Sequence, residues 1–139
     1  MSTDSGVAGT FHSNCDNKGP TLTVVRSSSG HLFGAVAANS WSSSAGSLAS
    51  AGSFLFCLDC AGERHTPRQL VITTADPGSA MYGSSGYGPT FGSAHDLHIA
   101  NHPGLAASSY ANLGHKFECP THSGSSGSSS GGFTTVETF

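Results

Sequence analysis

Charge is the first thing this sequence lacks. Asp, Glu, Lys and Arg make up 9% of its 139 residues, against roughly 25% in an average soluble domain. Five Lys and Arg are scattered along the chain and the net charge is −3. That leaves no basic stripe for a phosphate backbone and excludes electrostatic nucleic-acid binding. So small a net charge also excludes charge-driven disorder. Long apolar runs are missing too. No stretch approaches the roughly 20 residues of a membrane helix, so no membrane insertion is expected. The opening MSTDSG has neither the basic start nor the apolar stretch of a signal peptide, and there is no Asn-x-Ser/Thr acceptor. Four cysteines, Cys15, Cys57, Cys60 and Cys119, are accordingly read as reduced thiols in a cytoplasmic protein. A sustained 3.6-residue apolar period is absent as well, which excludes a coiled coil or helical bundle.

What is present is turn chemistry. The chain holds 19 Gly and 25 Ser, yet also eight Phe, three Tyr and one Trp. Apolar segments are short, β-branched or aromatic, and bounded by Gly, Pro, Asn or Ser. Residues 21–26 (TLTVVR) and 31–38 (HLFGAVAA) read as a hairpin across a four-residue loop. Residues 53–58 (SFLFCL) form the most apolar run and a central strand. Segments 69–73, 80–82, 96–100, 115–119 and 133–139 complete about eight strands, while 43–51 has room for a short helical turn. The expected fold is mainly β, a two-sheet antiparallel sandwich with one or two short helical turns. Residues 121–132 (THSGSSGSSSGG) are low in complexity and read as a flexible loop inside a single domain spanning 1–139.

Several motifs invite chemistry, each with a plain structural reading beside it. Gly127-x-Ser129-x-Gly131 matches the form of a nucleophile elbow, but its Ser/Gly surroundings supply neither the strand nor the helix that the elbow needs. Cys57-x-x-Cys60 is half a zinc site or a redox pair, with His65, His115 and Cys119 as conceivable further ligands. Cys57 also lies within the apolar strand, where a buried thiol is the ordinary outcome. His95, Asp96 and His98 form the densest ionisable cluster. Strand alternation would turn Asp96 and His98 to one face and His95 to the other, pairing a carboxylate with an imidazole. Trp41, Tyr82 and Tyr87 could stack on a sugar if exposed. The run Asp16-Asn17-Lys18-Gly19-Pro20, and the run Gly86 through Gly92, are backbone-shaping turns.

Read together and in order, these turns resemble the TLDc domain, known from oxidation-resistance proteins. Residues 11–21 (FHSNCDNKGPT) are similar to its FHxxCDNKGPT signature, carrying Cys15, Asp16, Asn17, Lys18, Gly19 and Pro20. Residues 32–34 (LFG), Trp41 and 54–58 (FLFCL) follow. Residues 87–92 (YGPTFG), with Gly88, Pro89, Phe91 and Gly92, precede His95-Asp96-Leu97 as in the family's YGPTFGGGHDL. Residues 109–114 (SYANLG) and the closing Glu137-Thr138-Phe139 also fall where the family has such motifs. The resemblance implies a two-sheet β-sandwich without catalytic, metal or cofactor-binding residues. It implies a protein linked to oxidative-stress protection and to the cytosolic V-type proton ATPase. The family usually places a helical segment and a strand before the signature, whereas about ten residues precede it here. Residues 1–10 are therefore expected as a poorly ordered or partner-bound lead-in. The sheet edge left open is expected to be capped by a protein partner, V-type ATPase subunits or another copy.

The leading functional expectation is thus a non-enzymatic interaction module, an accessory or structural part of a cytosolic assembly. An antioxidant or hydrolytic enzyme using Cys15, Cys57 or the His95/Asp96 cluster is the alternative. A carbohydrate- or small-ligand-binding sandwich is the third.

Overall fold

The computed structural model describes residues 8–27, 30–44, 46–59, 67–73, 77–100 and 109–118. It opens with a helix, α1 (Ala8–Cys15). Gly9, Thr10, Ser13 and Asn14 are weak helix formers, so α1 is invisible to a periodicity argument. Tertiary contacts hold it instead. Ala8 and His12 are buried, and the Phe11 ring meets Trp41 edge-on at 5.2 Å. Asn17 ends the helix in the left-handed region at φ 58°, a conformation that asparagine tolerates. The helix takes up residues 8–10 of the expected lead-in.

Among the described residues nine strands follow: β1 (Thr21–Arg26), β2 (Leu32–Ala37), β3 (Gly46–Leu48), β4 (Phe54–Asp59), β5 (Arg68–Leu70), β6 (Met81–Gly83), β7 (Thr90–Phe91), β8 (Leu97–His98) and β9 (Tyr110–Ala111). They form two antiparallel sheets, ordered β1-β2-β4-β5 and β3-β6-β7-β8-β9. The expected sandwich is therefore observed, with local corrections. The helical turn expected within 43–51 is instead β3, which starts at Gly46 with φ 59° and pairs with β6. Of the expected strand 115–119, the described residues 115–118 form no strand of their own, although Phe117 makes an antiparallel bridge to Ile72 beside β5. Segments 121–132 and 133–139 lie outside the described residues.

Alternation on β1 and β2 builds the core. Val25 opposite Phe33, and Ala35 opposite Leu55, face inward, as does Leu70 opposite Leu55. They meet Met81, Phe91 and Leu97 of the second sheet in one buried cluster with Trp41 and Phe117. The other face of the first sheet carries Leu22, Val24, Val36, Phe54, Phe56 and Leu58. Leu22 and Val24 are 64% and 56% exposed. Among the described residues, no helix is long and apolar enough to cross a membrane.

Candidate functional site

The signature residues around α1 act as a latch between loops. On the helix, His12 and Asp16 are one turn apart, so Nδ1 of His12 reaches Oδ1 of Asp16 at 2.7 Å. The ring's Nε2 faces two backbone carbonyls, Ser84 at 2.8 Å and Tyr87 at 3.0 Å. Both ring nitrogens thus face oxygens, one a carboxylate and the others backbone carbonyls. The second carboxylate oxygen of Asp16 accepts from the Ser43 amide at 2.8 Å. Burial pushes the Asp16 carboxyl up, but the hydrogen bonds from His12 and Ser43 and the charge of His12 outweigh it, holding the group below its ordinary value. Asn17 donates its amide to the Trp41 carbonyl, and Lys18 to that of Cys15. Gly19, at φ 84°, gives its amide to the Ser40 hydroxyl. Pro20 then leads into β1, where Thr21 accepts from the Trp41 indole at 2.8 Å. Cys15 is a half-buried thiol at the rim of the core.

The second motif builds the opposite corner. A β-carbon on Gly88 would stand 2.5 Å from the Ile99 carbonyl, and one on Gly92, at φ 87°, would strike the Asp96 carboxylate. Phe91 is fully buried, and Pro89 accepts from the Ile99 amide. Asp96 does not share a face with His98, which corrects the expected carboxylate–imidazole pair. The strand begins only at Leu97; before it, left-handed φ values at Gly92 and His95 make a turn, and strand alternation does not apply. Asp96 is instead wholly buried and accepts backbone amides from His115, Lys116 and Phe117 at 3.0–3.2 Å. It thereby anchors the segment that carries Phe117 across to the first sheet.

The sequence matches the TLDc domain family over residues 1–137. This chain belongs to the TLDc family. Searches of curated proteins and of solved structures found no match. The TLDc signatures are thus, in this chain, two structural corners, with Glu137 outside the described residues.

Freed from Asp96, the two histidines of this TLDc domain come together. The rings of His95 and His98 stack with centroids 5.9 Å apart and planes at 30°. Tyr82 and Tyr87 lie 4.9 and 5.5 Å from His95, and Tyr110 lies 5.2 Å from His98. Nδ1 of His95 meets the Tyr110 hydroxyl at 3.0 Å. Thr90 donates its hydroxyl proton to the Gly88 carbonyl, so Nδ1 of His98 must donate to that hydroxyl, at 2.8 Å. Nε2 of His98 is then its basic nitrogen. Burial, and then the neighbouring charge of His95, pull the His98 pKa down. Burial, with Tyr87 beside it, pushes Tyr110 up. All five rings are half-buried. Sequence spacing brought out His95 and His98 but missed His12, Thr90 and Tyr110. Only the i, i+4 spacing of His12 and Asp16 was a usable signal, and it needed the helix.

Two expectations are corrected here. Trp41 is fully buried, packed edge-on against Phe91 at 5.3 Å, and offers nothing to a sugar. Cys57 is disulfide-bonded rather than a reduced thiol, its partner lying outside the described residues. The thiol expectation rested on compartment alone, so the cytoplasmic inference loses that support. Among the described residues, no three His, Cys, Asp or Glu side chains are grouped as metal ligands. Cys60, His65, Cys119 and the Gly127–Gly131 motif lie outside them.

Proposed function

We propose that this TLDc chain is a non-enzymatic protein-interaction module, an accessory or structural part of a cytosolic assembly. A V-type ATPase is the assembly to test first, and oxidative-stress protection is the setting that the family resemblance implies. The observation that carries the reading is the outer face of the first sheet. β1, the edge strand among the described residues, presents Leu22 and Val24 at 64% and 56% exposure, beside half-buried Val36, Phe54 and Phe56 on the same face. A soluble surface seldom leaves so many apolar side chains on one sheet face unless something docks there. The ionisable residues that an enzyme would need are taken up by structural bonds: Asp96 by three amides, His12 by a carboxylate and two carbonyls.

The test is co-migration of the full chain with purified V-type ATPase on size exclusion at micromolar concentration. Co-elution is expected; a chain that stays monomeric alongside the ATPase rejects that partner, and one that is monomeric in native extracts rejects the module. The cytosolic setting is tested separately, because the Cys57 disulfide is a bond the cytosol disfavours. Cell fractionation is expected to recover the chain with cytosolic markers, and recovery only from a secreted or lumenal fraction rejects the location.

A further inference from the structure

The ring cluster on the second sheet has an unusual charge balance. His95 and His98 stack 5.9 Å apart, yet among the described residues neither has a carboxylate partner. Asp96, next to His95 in sequence, is committed to the amides of residues 115–117. The titratable groups facing the pair are Tyr82 from β6, Tyr87 from the loop before β7, and Tyr110 from β9. Among the described residues, Thr90 of β7 supplies a further polar contact, to His98. Tyrosine faces attract a single imidazolium, but two imidazolium charges side by side repel, and among the described residues no carboxylate lies beside them to neutralise either.

We propose that the His95–His98 pair is an acid-triggered release for the β8–β9 edge of the second sheet. The pair holds one proton within the packed cluster and opens it when the second arrives. β9 is the element that yields. It has two residues, its backbone pairs only with β8 among the described residues, and Tyr110 is clamped by both histidines. The His98 pKa, lowered first by burial and then by His95, agrees with this. Its sign follows directly: a base with a depressed folded pKa contributes stability above its ordinary value of 6.5, and that stability is lost as pH falls below it. The release is local, since the contacts of the pair described above come from the second sheet and the loop before β7, while β1, β2 and β4 belong to the first sheet.

Amide hydrogen exchange on the full chain, corrected for intrinsic rates, tests this. Between pH 7.5 and 5.0, protection at residues 110 and 111 should fall about tenfold or more relative to residues 33–36. His95→Asn and His98→Asn each leave one histidine and so should abolish that relative fall. Asparagine tolerates the left-handed φ at 95, and at 98 its amide still offers Thr90 a donor. A wild-type chain with no relative fall overturns the proposal, as does a fall that persists in both variants. Should a variant fail to fold, NMR titration of the wild-type histidines decides. Two separated steps for residues 95 and 98 are expected; one shared step at the ordinary imidazole pH overturns the proposal.

Discussion

Single hydroxyls and carboxylates carry much of the backbone bonding in this molecule. Ser27, Ser50, Ser53 and Ser109 are all buried, and each accepts a backbone amide, from His31, Asn39, Ala38 and Ala100 respectively. Strands of two or three residues leave many amides outside any ladder, and a short hydroxyl side chain satisfies them without filling core volume. Asp96 does the same for three consecutive amides. Asp96→Ala should therefore strand three donors, two of them in the buried Lys116 and Phe117, and cost about 3 kcal/mol, read as a lower urea midpoint at unchanged slope. Asp16 adds a pH signature. Its folded carboxyl sits below 3.8, so the stability it contributes is present above that value and is lost as pH falls through the folded pKa. Asp16→Asn should cost about 1–3 kcal/mol at pH 7, the gap closing as acid protonates the wild-type carboxyl. Urea titrations at pH 7 and pH 3 check this, and a gap that stays constant argues against the latch.

Elements were legible in proportion to their length and alternation. β1, β2 and β4 each run six residues, rich in β-branched, aromatic and aliphatic side chains, and the sequence located all three. β7 and β9 are two residues long and have no period to read; their place comes from pairing partners distant in sequence. α1 was missed because its stability comes from packing on Trp41, not from propensity. The His95–Asp96–His98 arrangement was misread for a related reason. The motif was placed on a strand, whereas Gly92 and His95 make a turn. Among the motif glycines, Gly34, Gly88 and Gly92 do mark close approach, whereas an added β-carbon on Gly19 or Gly86 meets nothing within 4 Å. A β-carbon on Gly34 in β2 would strike the Thr23 carbonyl and stand 2.7 Å from the Phe56 ring. Gly34→Ala should then push apart two strands of the first sheet at a cost of about 1–3 kcal/mol or more. Gly86, where an added β-carbon meets nothing within 4 Å, is the control: Gly86→Ala should stay within about 0.5 kcal/mol. Thermal unfolding of both variants beside wild type separates tight packing from a generic intolerance of substituted glycine.

At the scale of the whole molecule, scarcity of charge becomes a property of particular surfaces. Natural sheet edges are usually protected by Lys, Pro or a bulge; on β1 the outward row is Leu22, Val24 and Arg26, with the one charge at its end. The inward row of the same strand packs the core through Val25. One strand therefore carries two separable roles, and substitution can divide them. Leu22→Lys with Val24→Glu changes side chains that are more than half exposed, so the urea midpoint should move by less than about 1 kcal/mol. The same pair places two charges where a partner's apolar surface must desolvate, and affinity for that partner should fall at least about a hundredfold. Val25→Ala should do the reverse, costing about 2 kcal/mol of stability while leaving affinity of the folded fraction unchanged. Size exclusion with the partner, run beside urea unfolding of each variant, reads both quantities on the same protein. If the charged pair binds like wild type, the outer face of the first sheet is not the docking surface. If it unfolds the chain, that face is instead covered from within.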